Sequence, residues 1–473
     1  MLHVMEKRVD AIFAGGGLTA LAAAAILARR GKGVLVLDGE ERLKTGPGGS
    51  PFEFASGPFL LLGFEERGAM EGFFSELRLP IPSLKKQGFF FKRISPVLQF
   101  VLPGRRLNLY AQQEEYIEEL KREFGDQLPA IKSLLQEVGK YDAVLYPYLG
   151  RFAQMEIRGL GDRFDAWKRK LRFLSTVRTL RGKSADAFLA PFGFSPKFLG
   201  YLNLQSLFAF KKALAGISSF EFVLLVSALQ KGGVRMVGGY PTLVRFFLKL
   251  IREQGGEVLQ ERKIAKIEME GGKATAAILD DKTRVSCRRL IITRAAPDPF
   301  LNFYFTLPKE SVPGPMKENV LMTWGEAAPP EVEDLMILKL TLPEEEGGWA
   351  PGLRGLAVTL FPRPGADPTG PQKAALKKKV LERLDWLIPF SKSEIREAES
   401  GPGSSPPPAP FPSELESDWR KTAKEMRKET LRYERPSGAK NVLLIKNDLS
   451  EQLMWGSDFL AAEVLARLIE EGR

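Results

Sequence analysis

A run of three glycines stands where a short apolar segment ends and an alanine-rich segment begins. Residues 15–17 are all glycine, Val9 to Ala14 before them is apolar and partly β-branched, and Leu18 to Arg30 after them has a helical pattern. A strand, a tight turn and a helix in this order present free backbone amides and the positive end of a helix dipole, which favour a phosphate group. Gly15 would allow the sharp turn, and Gly17 would let the backbone approach a diphosphate.

An acidic residue follows at the spacing that nucleotide binding requires. Val34 to Leu37 predicts a second buried strand, and Asp38 ends it about twenty residues beyond the glycines, while Ala20 supplies the third small position of the dinucleotide fingerprint. Asp38 would accept hydrogen bonds from a ribose diol, which disfavours a nicotinamide cofactor carrying a 2′-phosphate. The alternative is a glycine turn without a ligand, in which Asp38 is an ordinary capping residue.

Two residue types that carry much enzyme chemistry are almost missing. The 473 residues include one histidine, His3, and one cysteine, Cys287. Structural disulfides, zinc ribbons, iron–sulfur clusters and a Ser-His-Asp triad supplied by this chain alone are therefore not expected, and no metal site is predicted. Cys287 lies in a predicted strand and is interpreted as a small core residue. Redox chemistry would have to be carried mostly by a bound cofactor.

The length and the net charge of the chain limit the number of domains and the kinds of binding partner. The chain is long enough for two or three domains, and its formal net charge is +11. Lys168 to Lys183 contains seven basic residues and no acid, interleaved with apolar residues. This pattern fits either a helix lying on an anionic bilayer or a core helix with a solvated basic face. Nucleic-acid binding is disfavoured because no known binding module is present.

The distribution of apolar residues predicts an intracellular protein. No run reaches the roughly 18 apolar residues of a membrane-spanning helix, and no signal-peptide pattern precedes the first strand. We therefore expect the chain in the cytoplasm, either free or peripheral on the inner face of the membrane. The sequence gives no indication of the oligomeric state.

Two short elements after Asp38 carry a family resemblance. Residues 48–50 read Gly-Gly-Ser and residues 54–58 read Phe-Ala-Ser-Gly-Pro. The sequence resembles the phytoene desaturase and carotenoid isomerase group of flavin oxidoreductases, relatives of the amine oxidases. That group has Gly-Gly-Arg and Phe-Asp-x-Gly-Pro at these places. Here Ser50 replaces the arginine and Ala55 the aspartate.

A second stretch with the same resemblance begins at residue 232. A Gly-Gly-Tyr-Pro element at 238–241 precedes an amphipathic helix that ends at the glycines 255 and 256. Strands are predicted at 257–260, 264–269, 274–279, 283–287 and 290–293, the last of them central. The resemblance implies that the backbone of Lys263 and Ile264 contacts an adenine.

The C-terminus contains a third such element. Asn441 to Lys446 predicts a strand and Gly456 to Ile469 a helix. The resemblance implies that a Gly-Asp pair at the strand end binds the ribityl and phosphate side of a flavin, with a glycine-rich loop beside its ring. This chain has Asn447 and Asp448 as the pair, and the loop from Leu449 to Trp455 contains no glycine.

The predicted fold class is α/β, with a Rossmann-type FAD-binding domain of the glutathione-reductase-like form and a discontinuous α+β substrate domain. The FAD-binding segments are predicted at 1–63, 232–298 and 437–473. The resemblance implies substrate segments at 64–231, which would face the membrane, and at 299–436. The predicted cofactor-binding residues are Gly15, Gly16, Gly17, Leu18, Thr19, Ala20, Asp38, Gly39, Gly48, Gly49, Ser50, Lys263, Ile264, Asn447 and Asp448.

Three functions are compatible with these observations. The first is an FAD-dependent desaturase or isomerase acting on a long apolar substrate, isoprenoid or polyene-like. A flavin is favoured over a free nicotinamide because there is one fingerprint and the C-terminal strand returns to the same site. The second is a scaffold or binding partner whose flavin site has decayed, and the third is an amine or porphyrinogen oxidase. No residue is predicted to be a catalytic acid or base.

Overall fold

The computed structural model describes most of the chain. The described residues are 7–15, 17–37, 60–64, 68–102, 104–151, 160–237, 239–260, 262–294, 301–323, 331–341, 352–361, 370–389, 393–398, 424–428, 431–435, 439–446 and 456–471.

The strands and helices are numbered in chain order. The strands are β1 (Lys7–Ala14), β2 (Val34–Leu37), β3 (Leu61–Leu62), β4 (Phe91–Ile94), β5 (Leu98–Leu102), β6 (Arg105–Leu109), β7 (Gly233–Met236), β8 (Glu257–Leu259), β9 (Ile264–Glu270), β10 (Lys273–Leu279), β11 (Arg284–Arg294), β12 (Leu301–Pro308), β13 (Asn319–Thr323), β14 (Leu335–Leu340), β15 (Leu353–Leu360), β16 (Arg396–Glu397), β17 (Lys424–Lys428), β18 (Leu431–Arg435) and β19 (Val442–Lys446). The α-helices are α1 (Leu18–Arg29), α2 (Ala69–Glu76), α3 (Gln113–Phe124), α4 (Leu128–Arg151), α5 (Leu160–Arg181), α6 (Ala185–Leu189), α7 (Pro196–Phe210), α8 (Ser219–Lys231), α9 (Gly239–Glu253), α10 (Gly370–Leu387) and α11 (Gly456–Glu470).

Five parallel strands form the centre of the first sheet, in the order β8-β2-β1-β11-β19. They come from three distant parts of the sequence, and β1 in the middle is buried on both sides by neighbouring strands. The strands β17 and β18 extend the sheet beyond β19, and β9 and β10 form an antiparallel hairpin that pairs with β11. The parallel strand order with its crossover helices is the Rossmann-type arrangement that the sequence predicts.

One detail of this sheet differs from the sequence prediction. The strands predicted at 283–287 and 290–293 form a single strand, β11. Its first residues pair with β10 in antiparallel fashion, and its later residues pair with β19 in parallel. The polar residues Arg288 and Arg289 interrupt the apolar pattern, but the backbone continues because β1 pairs with β11 over almost its whole length.

The helices α1, α9 and α11 pack together on this sheet. Leu18 to Ala28 of α1 is buried throughout, and its alanines let neighbouring helices approach closely. The predicted amphipathic helix is confirmed as α9, whose apolar residues Leu243, Phe246, Phe247, Leu250 and Ile251 are all buried. These helices and the first sheet enclose an apolar core between them.

A second sheet of seven strands lies in the order β16-β12-β15-β14-β13-β5-β6. Its strands are antiparallel except for the pair β13 and β5. The strands β5 and β6 form an antiparallel hairpin at one edge of this sheet. One face of the sheet packs on α10, and the other packs on a helical layer that includes α3, α4, α5, α7 and α8.

A three-stranded sheet, β3-β7-β4, lies between these two layers. Its central strand carries Arg235, a fully buried guanidinium that donates from Nη1 to the carbonyl oxygen of Leu340 at 2.6 Å. Leu340 ends β14 of the seven-stranded sheet, so this bond joins the small sheet to the seven-stranded sheet. A buried charged donor paired in this way holds the two elements in a fixed relation.

A buried amide at the start of β19 ties three strands together. The Asn441 side chain accepts from the backbone N–H of Ala274 at 2.7 Å, and it donates to the carbonyl oxygens of Ala274 and Arg288 at 2.7 and 2.8 Å. We expect Asn441→Ala to lower the free energy of unfolding by about 2 kcal/mol, because it leaves buried backbone groups without partners. Urea unfolding measures this loss. Lys440→Ala, at the exposed neighbouring side chain, is the control, and an equal loss in both variants would contradict the assigned role.

Among the described residues, no helix is both long enough and apolar enough to cross a membrane.

Candidate dinucleotide site

The candidate site lies where the parallel strands of the first sheet end. In the register of the sheet, Ala14 pairs with Leu37 on one side and with Ile292 on the other, and Thr293 pairs with Ile445. Because these strands are parallel, their carboxyl ends meet at one edge. Ligands of open α/β sheets bind at this edge.

Gly15 makes the turn out of β1. Its φ of +95° is a conformation that side chains with a Cβ rarely adopt. A Cβ at this position would lie 3.0 Å from the carbonyl oxygen of Thr293 and 3.3 Å from its Cβ. The Gly15 amide donates to the carbonyl oxygen of Leu37 at 3.2 Å, which fixes the turn against the end of β2. Both the backbone angle and the neighbouring strand therefore require glycine.

The helix that follows begins without a side-chain cap. Gly17 is its N-cap residue and has no side chain to accept a hydrogen bond, and the first turn contains no acidic residue. The first backbone N–H groups of a helix have no partner within the helix. At the N-terminus of α1 they therefore remain suited to an anionic group supplied by a ligand.

A hydroxyl group beside this turn is left without a partner. Thr293, near the end of β11, is largely buried, and its Oγ1 makes no hydrogen bond within the described part of the chain. Its Cβ, together with its carbonyl oxygen, lies against the Gly15 turn. A buried hydroxyl without a partner costs free energy, so its presence next to the glycine turn indicates that a ligand completes it. The sequence carries no signal that singles out Thr293, because a threonine in a strand is an ordinary residue.

The predicted residues have different environments. Leu18, Thr19 and Ala20 are buried in the first turns of α1, so their side chains pack in the core and only their backbone could face a ligand. Ile264 packs in the same apolar cluster as Leu37, at the end of β2.

The remaining predicted cofactor-binding residues provide little evidence about the site. The carbonyl oxygen of Lys263 accepts from the Asp280 N–H at 3.0 Å, so this group is already engaged within the protein. The predicted residues Gly16, Asp38, Gly39, Gly48, Gly49, Ser50, Asn447 and Asp448 lie outside the described residues.

The described residues fit a dinucleotide better than a metal ion. No group of three or more His, Cys, Asp or Glu side chains in the described ranges could hold a metal. Cys287 is buried, as predicted, and burial raises the pKa of its thiol to about 11, which makes it unreactive near neutral pH. The diphosphate of the predicted FAD would fit the turn at Gly15, which we call the Gly15 cradle. The uncapped N-terminus of α1 and the Thr293 hydroxyl lie beside this turn and suit the same group.

Comparison with known proteins supports the fold. No protein-family model matches the sequence, and no curated protein matches it. Several solved structures have a similar fold at low sequence identity. An oxidoreductase from Methanosarcina mazei is 12% identical, with 97% of this chain and 100% of that chain covered and a TM-score of 0.57.

Two further structures have comparable similarity. The PF1083 protein from Pyrococcus furiosus is 14% identical, with 96% of this chain and 95% of that chain covered and a TM-score of 0.56. A putrescine oxidase bound to putrescine is 12% identical, with 98% and 99% covered and a TM-score of 0.54. The chain therefore resembles these three structures in fold over nearly its whole length.

Proposed function

We propose that this protein is an FAD-dependent oxidoreductase whose cofactor diphosphate binds at the Gly15 turn. The observation that carries the proposal is the Gly15 cradle, where an obligatory glycine, an uncapped helix and an unpartnered Thr293 hydroxyl meet at the edge of a parallel sheet. The full-length likeness to oxidoreductase folds supports it. Fold alone does not establish activity, so the site is the stronger argument.

Each part of the site has a distinct task. The amides at the start of α1 and the Thr293 hydroxyl would bind the diphosphate, and Asp38 would bind the adenosine ribose. The glutathione-reductase-like form of the domain and an adenine contact near Ile264 belong to the same proposal. A bound flavin supplies hydride transfer, so the protein itself needs no catalytic histidine.

Two substrate classes compete. The resemblance of the Gly-Gly-Ser and Phe-Ala-Ser-Gly-Pro elements favours desaturation or isomerisation of a long apolar, polyene-like substrate. The similarity of the whole chain to a structure described as putrescine oxidase favours an amine substrate instead. Anaerobic incubation of the FAD-loaded protein with a panel of amines and of isoprenoid polyenes separates the two. An amine oxidised or a polyene desaturated by the protein bleaches the flavin absorbance, whereas a redox-neutral isomerisation leaves the absorbance unchanged and is detected by chromatography of the polyene product.

The first experiment is purification of the full chain followed by denaturation. We expect a yellow protein that releases FAD, with about one flavin per chain. A colourless protein that takes up no FAD on incubation with excess cofactor would favour the alternative of a scaffold that kept the fold. A protein that binds FAD but neither is reduced by any substrate nor isomerises any polyene of the panel would retain the cofactor proposal and remove the enzymatic one.

The Thr293 hydroxyl gives a more specific test. We expect Thr293→Val to weaken FAD binding about tenfold, since it removes one hydrogen bond while keeping the shape of the side chain. The cofactor-free variant is expected to be at least as stable as the wild type, because the lost hydroxyl had no protein partner. Calorimetric titration with FAD and thermal unfolding measure the two effects.

The matched control is Thr293→Ser, which keeps the hydroxyl and should bind FAD almost as well as the wild type. Equal FAD affinity in the wild type and in Thr293→Val would show that the hydroxyl does not contact the cofactor.

A further inference from the structure

The helix α5 has two apolar stripes, and only one of them is covered by the protein. Phe173, Val177 and Leu180 are buried and pack in the core of the helical layer against α4 and α8. Leu171 and Leu174 are three residues apart on another side of the same helix, and they are 45% and 39% exposed. Packing against the core therefore explains the buried stripe of α5 but not the presence of two leucines on its exposed side.

The exposed leucines lie among cations. Arg178 follows Leu174 by one turn on the same stripe, and Lys168 and Arg172 are exposed beside Leu171. Arg181 is exposed as well, with its guanidinium 5.0 Å from the centre of the Phe220 ring. We call Leu171, Arg172, Leu174, Arg178 and Arg181 the basic patch. No acidic residue occurs in the sequence between Lys168 and Lys183.

The carboxylates of the helices that contact α5 are engaged elsewhere. On α4, Glu137 pairs with Lys140, and Asp142 pairs with Lys231 and Ser227. On α8, Glu221 accepts from the Ser218 amide at 2.7 Å in a capping box. The basic patch therefore keeps its positive charge.

We propose that the basic patch docks on an anionic lipid bilayer. Exposed leucines between arginines match an interface where side chains enter the acyl boundary and cations meet the phosphate groups of the lipids. Arginines and lysines close to an anionic surface each contribute about a fivefold factor to partitioning. An acidic protein surface would attract the cations equally, but this attraction would not require Leu171 and Leu174 to be exposed. The proposal is independent of the cofactor and of the substrate.

The test is co-sedimentation of the full-length protein with vesicles. Binding to phosphatidylglycerol–phosphatidylcholine vesicles is expected, with little binding to pure phosphatidylcholine and weaker binding at high salt. Arg172→Gln with Arg178→Gln should lower partitioning about 25-fold. Leu171→Ser with Leu174→Ser should lower it at least about tenfold, because two leucines no longer enter the acyl boundary.

The control removes the same charge from another exposed helix. Lys373→Gln with Lys378→Gln on α10, where Trp386 is also exposed, should leave vesicle binding unchanged within about twofold. Circular dichroism and FAD content should be the same in all variants, which separates this proposal from the cofactor proposal. The proposal is overturned if the wild type does not bind anionic vesicles, if the α10 control loses as much binding as the arginine variant, or if the leucine variant binds like the wild type. The last outcome would assign the patch to an acidic partner instead.

Discussion

Gly15→Val is expected to yield a folded protein that is purified without FAD. A β-branched residue at a φ of +95° strains the backbone, and its Cβ would lie 3.0 Å from the carbonyl oxygen of Thr293. The chain can relieve this contact only by moving the turn away from β11, which also moves the amides that would bind the diphosphate. A displacement that costs about 3 kcal/mol corresponds to a loss of FAD affinity of about 100-fold.

The measurement is FAD affinity by fluorescence titration, with circular dichroism to establish that the variant folds. Gly139→Val is the matched control, because Gly139 lies exposed in α4 and a Cβ there has no neighbour within 4 Å. This control should bind FAD like the wild type. If Gly15→Val also keeps wild-type affinity, the cofactor does not bind at this turn.

The second large effect concerns a buried carboxyl group on α11. Glu463 is buried where α11 packs against α1 and α2, and this burial raises the pKa of its side chain to about 7. Arg467 and Arg30 act in the opposite direction, and the carboxylate of Glu76 adds to the rise. Arg30 donates to Glu76 at 2.8 Å and also pairs with Glu470, so its charge is largely shared with other acids.

The sign of the pH dependence follows from this pKa. Below about pH 4.5, the ordinary pKa of a glutamate, Glu463 is protonated in the folded and unfolded states and does not lower the free energy of unfolding. Between pH 4.5 and 7 the unfolded chain releases the proton first, so stability falls as the pH rises. Above pH 7 the penalty is constant at about 3 kcal/mol.

Glu463→Gln should therefore stabilise the protein by about 3 kcal/mol at pH 8 and by little at pH 4.5. Urea unfolding at both pH values measures the difference. Glu471→Gln, immediately after the end of the same helix, is the control, since that side chain is exposed and its substitution should change stability only slightly. A stabilisation that does not depend on pH would show that packing, rather than ionisation, is responsible.

Much of the first sheet could be predicted because its signals are local. A glycine run after an apolar run requires a turn whatever the rest of the chain does, and the structure has a strand ending at Ala14 and a helix starting at Leu18. The spacing of apolar residues in α9 likewise identifies its buried face without reference to a partner. The position of the single cysteine within a predicted strand likewise predicts a core residue, and Cys287 is buried.

Other properties depend on which residues meet across the fold. Thr293 is an ordinary strand residue until β11 pairs beside β1 and brings it against Gly15. Arg235, Asn441 and Glu463 are polar residues whose burial depends on elements that are distant in sequence. Hydrophobic patterns do not indicate which polar groups will be enclosed, because burial is a property of the neighbours rather than of the residue itself.

The sequence by itself determined the strand–turn–helix unit and the α/β fold class, because short-range backbone geometry and amphipathic spacing depend only on nearby residues. Only the tertiary structure decided that Thr293 completes the Gly15 cradle and that one of the two apolar stripes of α5 stays exposed. Both outcomes depend on long-range packing. The pairing of β11 with β1 places Thr293 beside Gly15. The packing of α4 and α8 against α5 decides which of its two apolar stripes is buried.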